Sequence, residues 1–322
     1  MKTGKMKIVI TESEDFSLEV INKLKQIGQV FLYNTKSREE LIQNISGAHL
    51  IFIRLRFKID KEIIDSVPEL RYILTATTGL DHVDLDYFTA KGGRVISLRG
   101  ETDFLNTIPS TAEHTWGLLL ALMRNIPNSF NDVKQGFWRR DLFKGNNLSG
   151  KKIGILGLGR VGAQVANFAK AFNMRIGFYD LVPKYENDYI KFNTPTELFK
   201  WADIISVHLP LNQTTHHFIN SKLLDALAPS AILINTSRGA IVDEAYLASK
   251  IENHAIKGYA SDVIENEFEN NLTKNKLVAL ASNGFHVLIT PHIAGATYES
   301  MHMTENFIYN KFLDSYKKTN IK

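Results

Sequence analysis

Short apolar runs alternate with helix-length amphipathic stretches along almost the whole chain, the pattern of layered α/β structure with parallel strands. The first series is KIVIT (7–11), VFLY (30–33), LIFIR (50–54), RYILTA (71–76) and RVISL (94–98). After the first run, DFSLEVINKLKQIG sets Phe16, Val20, Leu24 and Ile27 on one helical face and then meets Gly28, which the pattern assigns to a C-terminal cap. STAEHTWGLLLALMRNI (110–126) breaks the rhythm as a long apolar helix, with Ser110 expected at the N-cap and Glu113 three residues on. The polar DLFKGNNLSG (141–150) reads as a loop. A second series follows: KIGIL (152–156), RIGFYD (175–180), DIISVHL (203–209), AILINT (231–236), IKGYASDV (256–263) and VLIT (287–290). Residues 299–318 close the pattern as an amphipathic helix, and no internal repeat is present.

Two strand series in 322 residues imply two α/β domains, since the length exceeds the usual single-domain size. A hydrophobic fraction of 44% is enough for two cores. The 38 basic and 34 acidic residues leave a net charge of +4 without charged blocks, which argues against nucleic acid as a partner and for small molecules. The chain has no cysteine, so disulfides, zinc–thiolate sites, iron–sulfur clusters and cysteine nucleophiles are excluded. The opening MKTGKMKIVITESEDF has no apolar core of a signal peptide, and no run approaches the ~18 apolar residues of a membrane span. A cytoplasmic protein with no membrane partner is expected.

One phosphate-loop resemblance fails on chemistry. GNNLSGKK (145–152) has Lys152 where the pattern needs a magnesium-binding hydroxyl, and it precedes a strand that it ought to follow. The stretch KIGILGLGRVGAQVANFAKAFNMRIGFYD is better placed: Gly157, Gly159 and Gly162 form G-x-G-x-x-G between a strand and a helix. Gly157 permits the tight turn, Gly159 lets backbone approach a pyrophosphate, and Gly162 lets helix and strand pack closely. The helix N-terminus then offers N–H groups and partial positive charge to the phosphates. Asp180, 18 residues beyond Gly162, ends the next strand and suits an adenine ribose with both hydroxyls, so NAD is expected over NADP, with nearby Lys184 weakening that preference slightly.

Ligands of open parallel sheets bind beyond the carboxyl ends of the strands. Arg238 lies just past AILINT, Glu267 past IKGYASDV, and His292 just after VLIT in LITPHIAG, on the same edge as the glycine turn. Arginine matches a carboxylate with a planar charged fork. Histidine moves protons near neutral pH, and a carboxylate on its second nitrogen would fix its tautomer. The other nine histidines, including the adjacent His216 and His217, show no metal-ligand spacing and are read as structural, so no metal is expected. No G-x-S-x-G elbow is present for a serine hydrolase.

Taken together, TTGLDHVDL (77–85), STAEHTWGLLLALMRN (110–125), GILGLGRVG (154–162), VHLPLNQTTHHFI (207–219), INTSRGAIVDE (234–244), SDVIENE (261–267) and TPHIAG (290–295) resemble the NAD-dependent D-2-hydroxyacid dehydrogenases, the formate and glycerate dehydrogenase group. The resemblance covers nearly the whole chain. It implies that Arg238 binds the substrate carboxylate, that His292 is the acid/base and that Glu267 orients it. It further implies that Asp262 meets the nicotinamide carboxamide, that Arg160 and Val161 face the pyrophosphate, and that Leu209, Pro210, Thr215 and Thr236 line the dinucleotide cleft. Backbone at Thr78 and Gly79 would help hold the carboxylate, and Arg54 and Arg56 sit where the family presents substrate-selecting side chains.

The same resemblance implies a flavodoxin-like substrate domain at residues 1–100 and 299–322, a Rossmann dinucleotide domain inserted at 101–298, and a homodimer formed partly through the helix near 110–126. No regulatory module is expected after residue 322. The expected reaction is hydride transfer between a D-2-hydroxy acid and a 2-oxo acid. The alternatives are a dinucleotide-sensing corepressor-like binding protein and phosphite or formate oxidation on the same scaffold. Departures from the family pattern are ISLRGETDFLN (96–106), which adds Arg99 and Glu101, Phe268 for a usual proline, and His82 for a usual asparagine. They bear on substrate choice: Arg54, Arg56 and Arg99 favour a second anionic or polar group on the substrate, unless two of them pair with Glu101 and Asp103.

Overall fold

The computed structural model describes residues 5–182, 188–267 and 272–320; Lys184 and Phe268, named above, lie outside the described residues. The chain forms two compact units, Met1–Thr107 with Ala296–Lys322, and Ile108–Gly295. Each is a parallel α/β sandwich, the fold class that the alternating runs imply. Among the described residues no helix is long and apolar enough to cross a membrane.

The first unit holds β1 (Met6–Ile10), β2 (Gly28–Leu32), β3 (Leu50–Ile53), β4 (Tyr72–Thr75) and β5 (Arg94–Ile96), in the sheet order β2-β1-β3-β4-β5. Successive side chains of a strand point to opposite faces, and both faces are covered. Ile8, Ile10, Phe52 and Leu74 pack with Val20 and Leu24 of the first helix and with Ile308 and Phe312 of the last. Val9, Ile51, Ile53 and Ile73 pack on the other side with Leu41, Ile45, Ile63 and Phe88.

The second unit holds β6 (Lys152–Leu156), β7 (Arg175–Tyr179), β8 (Ile190–Lys191), β9 (Ile204–Val207), β10 (Ile232–Asn235), β11 (Gly258–Ser261) and β12 (Val287–Ile289). Their order, β12-β11-β10-β9-β6-β7-β8, sends the chain from β6 first to one side and then, with β9, to the other. That reversal is the switch point at which doubly wound sheets bind ligands. The helix Ser110–Met123 packs on this sheet through Ala112, Trp116, Leu119 and Leu122.

Three local expectations are corrected. Gly28 is not a cap: the first helix ends at Lys25 with Gln26 as its C-cap, and Gly28 opens β2. A Cβ there would stand 2.2 Å from the Met6 carbonyl oxygen, so the glycine is needed for β1 and β2 to pair. Ser110 is the first helical residue, not the N-cap; Pro109 precedes it and the buried Ser110 hydroxyl has no hydrogen-bond partner among the described residues. The long apolar helix also stops earlier, at Met123, because Asn125 takes a left-handed conformation (φ 53°) and starts a separate helix, Ile126–Lys134. The two-residue strand β8 is too short to leave an apolar signature.

Candidate active site

The registers Leu156↔Val207, Val207↔Asn235, Asn235↔Ser261 and Ser261↔Ile289 align the last residues of β6, β9, β10, β11 and β12 in one row. The loops leaving that row carry Gly157, Leu209, Arg238, Glu267 and His292. The rim that the sequence suggests is thus one continuous sheet edge.

Arg238 follows a turn built by the buried Asn235. The Asn235 side-chain oxygen accepts the Ser237 N–H at 3.0 Å and hydroxyl at 2.7 Å, and its amide donates to the Arg238 carbonyl at 2.9 Å. Arg238 is half-buried, and its guanidinium donates to the Ser237 carbonyl at 2.8 Å. Gly239 must be glycine because a Cβ would lie 2.0 Å from the Ile264 carbonyl carbon and 2.2 Å from the Glu265 nitrogen. The arginine turn is therefore in backbone contact with the segment leading to Glu267.

His292 sits in a left-handed conformation, φ 54°, held by its N–H bonding to the carbonyls of Asp262 (2.8 Å) and Thr290 (3.0 Å). Its Nδ1 pairs with Glu267 Oε1 at 2.8 Å. An ionised carboxylate only accepts, so Nδ1 carries the proton and Nε2 is left as the reactive nitrogen.

The turn around His292 is caged by Asp262, which is 1% exposed. Its carboxylate accepts the Thr290 hydroxyl (2.6 Å) and the N–H groups of Ile293 (2.9 Å) and Ala294 (2.7 Å), with His114 Nε2 3.3 Å away. Burial pushes this carboxyl up, but His114, Thr290 and the two backbone donors outweigh it and hold it below the usual aspartate range. His114 also bonds the Thr290 hydroxyl at 2.9 Å. Sequence reasoning left His114 and Thr290 without a role; only the fold brings residue 114 beside residue 290. Glu244, likewise unflagged, is buried, and burial raises its carboxyl to about 7; it accepts the Glu265 N–H at 2.9 Å.

The glycine turn tests whether a dinucleotide fits. Gly157 has φ 92°, and a Cβ on it would meet the His208 carbonyl oxygen at 2.8 Å; on Gly162 it would meet the Gly157 carbonyl oxygen at 2.1 Å. Among the described residues, a Cβ on Gly159 would have nothing within 4 Å. Two glycines are thus fixed by protein backbone and the middle one faces open space, as a cradle for a pyrophosphate requires. Gly159 is also the N-cap of the helix Arg160–Ala171. Val161 lies in the first turn of that helix with Arg160, whose guanidinium is drawn below its usual value by burial. Asp180 accepts the N–H groups of Leu158 and Val182, each at 2.8 Å, which ties it to the turn. Leu209 and Pro210 follow β9, where the Thr215 hydroxyl donates to the Pro210 carbonyl at 2.6 Å. Thr236, past β10, bonds the Thr115 hydroxyl at 2.7 Å.

The remaining candidates lie in the first unit, on the carboxyl edge of its own sheet. Thr78 is exposed and Gly79 half-buried, with the Gly79 carbonyl accepting the Thr77 hydroxyl at 2.8 Å. Arg54 and Arg56 follow β3 but have structural partners. Arg54 bonds Glu305 at 2.7 Å and the Glu14 carbonyl at 2.9 Å, and Arg56 bonds the Asn34 side chain at 2.9 Å and the Thr35 carbonyl at 2.6 Å. Glu101, a suggested partner for these arginines, pairs instead with Lys311 at 2.6 Å.

A doubly wound sheet, a glycine turn open at its middle residue and a carboxylate-oriented histidine on the same edge define a dinucleotide-binding oxidoreductase fold. Residues 116–294 match the family model described as the NAD binding domain of D-isomer specific 2-hydroxyacid dehydrogenases. The chain belongs to that family, and its second unit carries the NAD-binding domain. A glyoxylate reductase of Thermofilum pendens is 34% identical over 293 residues, 87% of this chain and 83% of that protein. A D-3-phosphoglycerate dehydrogenase of Methanocaldococcus jannaschii is 33% identical over 299 residues, 92% of this chain but 54% of that protein, so the chain spans about half the length of that relative. Among solved structures, a D-lactate dehydrogenase from Aquifex aeolicus complexed with NAD and lactic acid superposes with a TM-score of 0.81 at 27% identity, covering 98% of this chain and 96% of that one.

Proposed function

We propose that the protein interconverts a D-2-hydroxy acid and a 2-oxo acid, with His292 as acid/base, Glu267 as the group that orients it and Arg238 as the carboxylate anchor. The observation that carries this reading is the 2.8 Å bond between His292 Nδ1 and Glu267, which reserves Nε2 for a substrate proton. Bound NAD supplies the carbon that accepts or returns hydride. In oxidation, His292 Nε2 takes the proton of the 2-hydroxyl as C2 gives up hydride. In reduction, the imidazolium protonates the oxo oxygen, and Glu267 stabilises the positive ring that exists before the transfer. The Arg238 guanidinium holds the carboxylate through two parallel hydrogen bonds, which fixes C2 relative to the histidine. Asp262 supports the site from behind: with four donors around it, it holds the turn that sets the imidazole in place.

The relatives named for glyoxylate and for D-3-phosphoglycerate support short 2-oxo acids, with or without a second anionic group, as the first compounds to test. A homodimer in the cytoplasm completes the reading. Its support is the run of exposed apolar side chains after the long helix, Phe130 (61% exposed), Trp138 (86%) and Leu142 (64%), which a partner copy would cover. The test is a panel of 2-oxo acids assayed for NADH oxidation, with chiral analysis of the product. Turnover to a D-2-hydroxy acid is expected; no turnover of any member, or an L product, contradicts the reading.

A further inference from the structure

Two adjacent histidines and a distant glutamate converge on the rim, next to the segment that carries Glu267. His217 Nε2 is 3.0 Å from Glu265 Oε1 and His216 Nε2 is 3.8 Å from the same oxygen. The three ligand atoms all lie within 4.8 Å of one another. Adjacent side chains ordinarily diverge. Here His217 takes φ 48°, a conformation uncommon outside glycine, and the two rings lie side by side, centroids 4.1 Å apart and planes tilted by 31°. The turn is pinned from both sides: the His216 N–H bonds the Asn212 carbonyl at 2.9 Å and the His217 N–H bonds the Ala240 carbonyl at 2.8 Å. Glu265 is fixed in turn by its N–H bond to Glu244 at 2.9 Å.

We infer that His216, His217 and Glu265 form a binding site for a zinc-class dication. Atoms bound at ~2.1 Å to a tetrahedral ion stand about 3.4 Å apart, and the two measured separations bracket that value. Two imidazoles with one carboxylate suit zinc and its nitrogen-preferring neighbours over magnesium or calcium, which take oxygen ligands. Side-chain exposures of 54%, 38% and 27% for His216, His217 and Glu265 leave the site open to ions from solution and leave room for water as a fourth ligand. A bound ion ties the 212–219 turn to Glu265, two residues before Glu267. The histidine pair looks structural from sequence because its third ligand is 48 residues away.

The test uses the untagged full chain, stripped with a chelator, titrated with ZnCl₂ by calorimetry and assayed for bound metal after desalting. One zinc per chain is expected, with a thermal midpoint that rises as zinc is added. His216→Asn and His217→Asn should each weaken binding at least tenfold and abolish the zinc-dependent shift. Asparagine suits the left-handed position, and His216 is exposed, so both metal-free variants should melt like the parent. No saturable zinc binding to the parent, or equal binding by both variants, overturns the site.

Discussion

Glu267 and His292 are joined by a 2.8 Å hydrogen bond although they leave different strands, β11 and β12. The bond is possible because Ser261 and Ile289 are paired in register, so the two loops start side by side. His292 then turns back through its left-handed backbone to bond the Asp262 carbonyl. The imidazole is thus oriented by the Glu267 side chain, while the Asp262 carboxylate holds the flanking residues Thr290, Ile293 and Ala294, which separates the chemical role of Glu267 from the scaffolding role of Asp262.

Arg238→Gln should act on substrate binding. Removing the guanidinium costs roughly 1.5–3 kcal/mol of charged hydrogen bonding, which is about a 10- to 150-fold rise in KM for the 2-oxo acid, with a smaller change in kcat. Steady-state kinetics at saturating NADH measure the split, and a fall in kcat at constant KM speaks against a carboxylate anchor.

Gly159 of the glycine turn and Gly239 of the arginine turn predict opposite outcomes for their alanine variants. Gly159→Ala adds a methyl group to open space, so its melting temperature should match the parent while NADH affinity drops at least tenfold. Gly239→Ala drives a Cβ to 2.0 Å from backbone that cannot move freely, and should unfold at a markedly lower temperature. Melts with and without NADH distinguish the two.

Asp262→Asn replaces an acceptor of four donors by a group that accepts through one oxygen only, costing roughly 1.5–3 kcal/mol at neutral pH. The Asp262 carboxyl is held below its ordinary range in the fold, so its stabilisation is complete above the unfolded value and is lost as pH falls through the folded one. The stability gap between parent and variant should therefore narrow in acid. Denaturant melts from neutral pH downward check this; a gap that widens in acid contradicts the cage.

Arg54→Met tests whether that arginine is structural. It strips the charged partner from Glu305, which is 1% exposed and keeps only the Ser17 N–H on its other oxygen among the described residues, and should cost up to roughly 3 kcal/mol. Burial already raises the Glu305 carboxyl against the pull of Arg54, so the penalty falls on its ionised form, grows as pH rises and fades in acid. Adding Glu305→Gln should recover much of the loss. A variant that melts like the parent while its substrate KM rises would return Arg54 to substrate selection.

The strands were legible because parallel sheets bury both faces and leave unbroken apolar runs, as in β3 and β10, whose residues are all buried. The rim followed from them, since strand ends fix where loops begin. What stayed hidden was pairing at a distance. His114 reaches Thr290 across 176 positions, and Arg54 meets Glu305 across 251. Neither contact leaves a local pattern. A local pattern does not place a cap where tertiary packing sets the boundary: Gly28 answers to the Met6 carbonyl of the neighbouring strand β1, not to the helix before it.

His292→Gln is the most direct test of the catalytic assignment, read as kcat and KM for reduction of a 2-oxo acid by NADH beside Glu267→Gln. The account predicts that kcat falls on the order of 10²- to 10⁴-fold in the histidine variant and less in the glutamate variant, with KM nearly unchanged in both. A histidine variant that turns over at the parental rate, or that loses only substrate affinity, contradicts it.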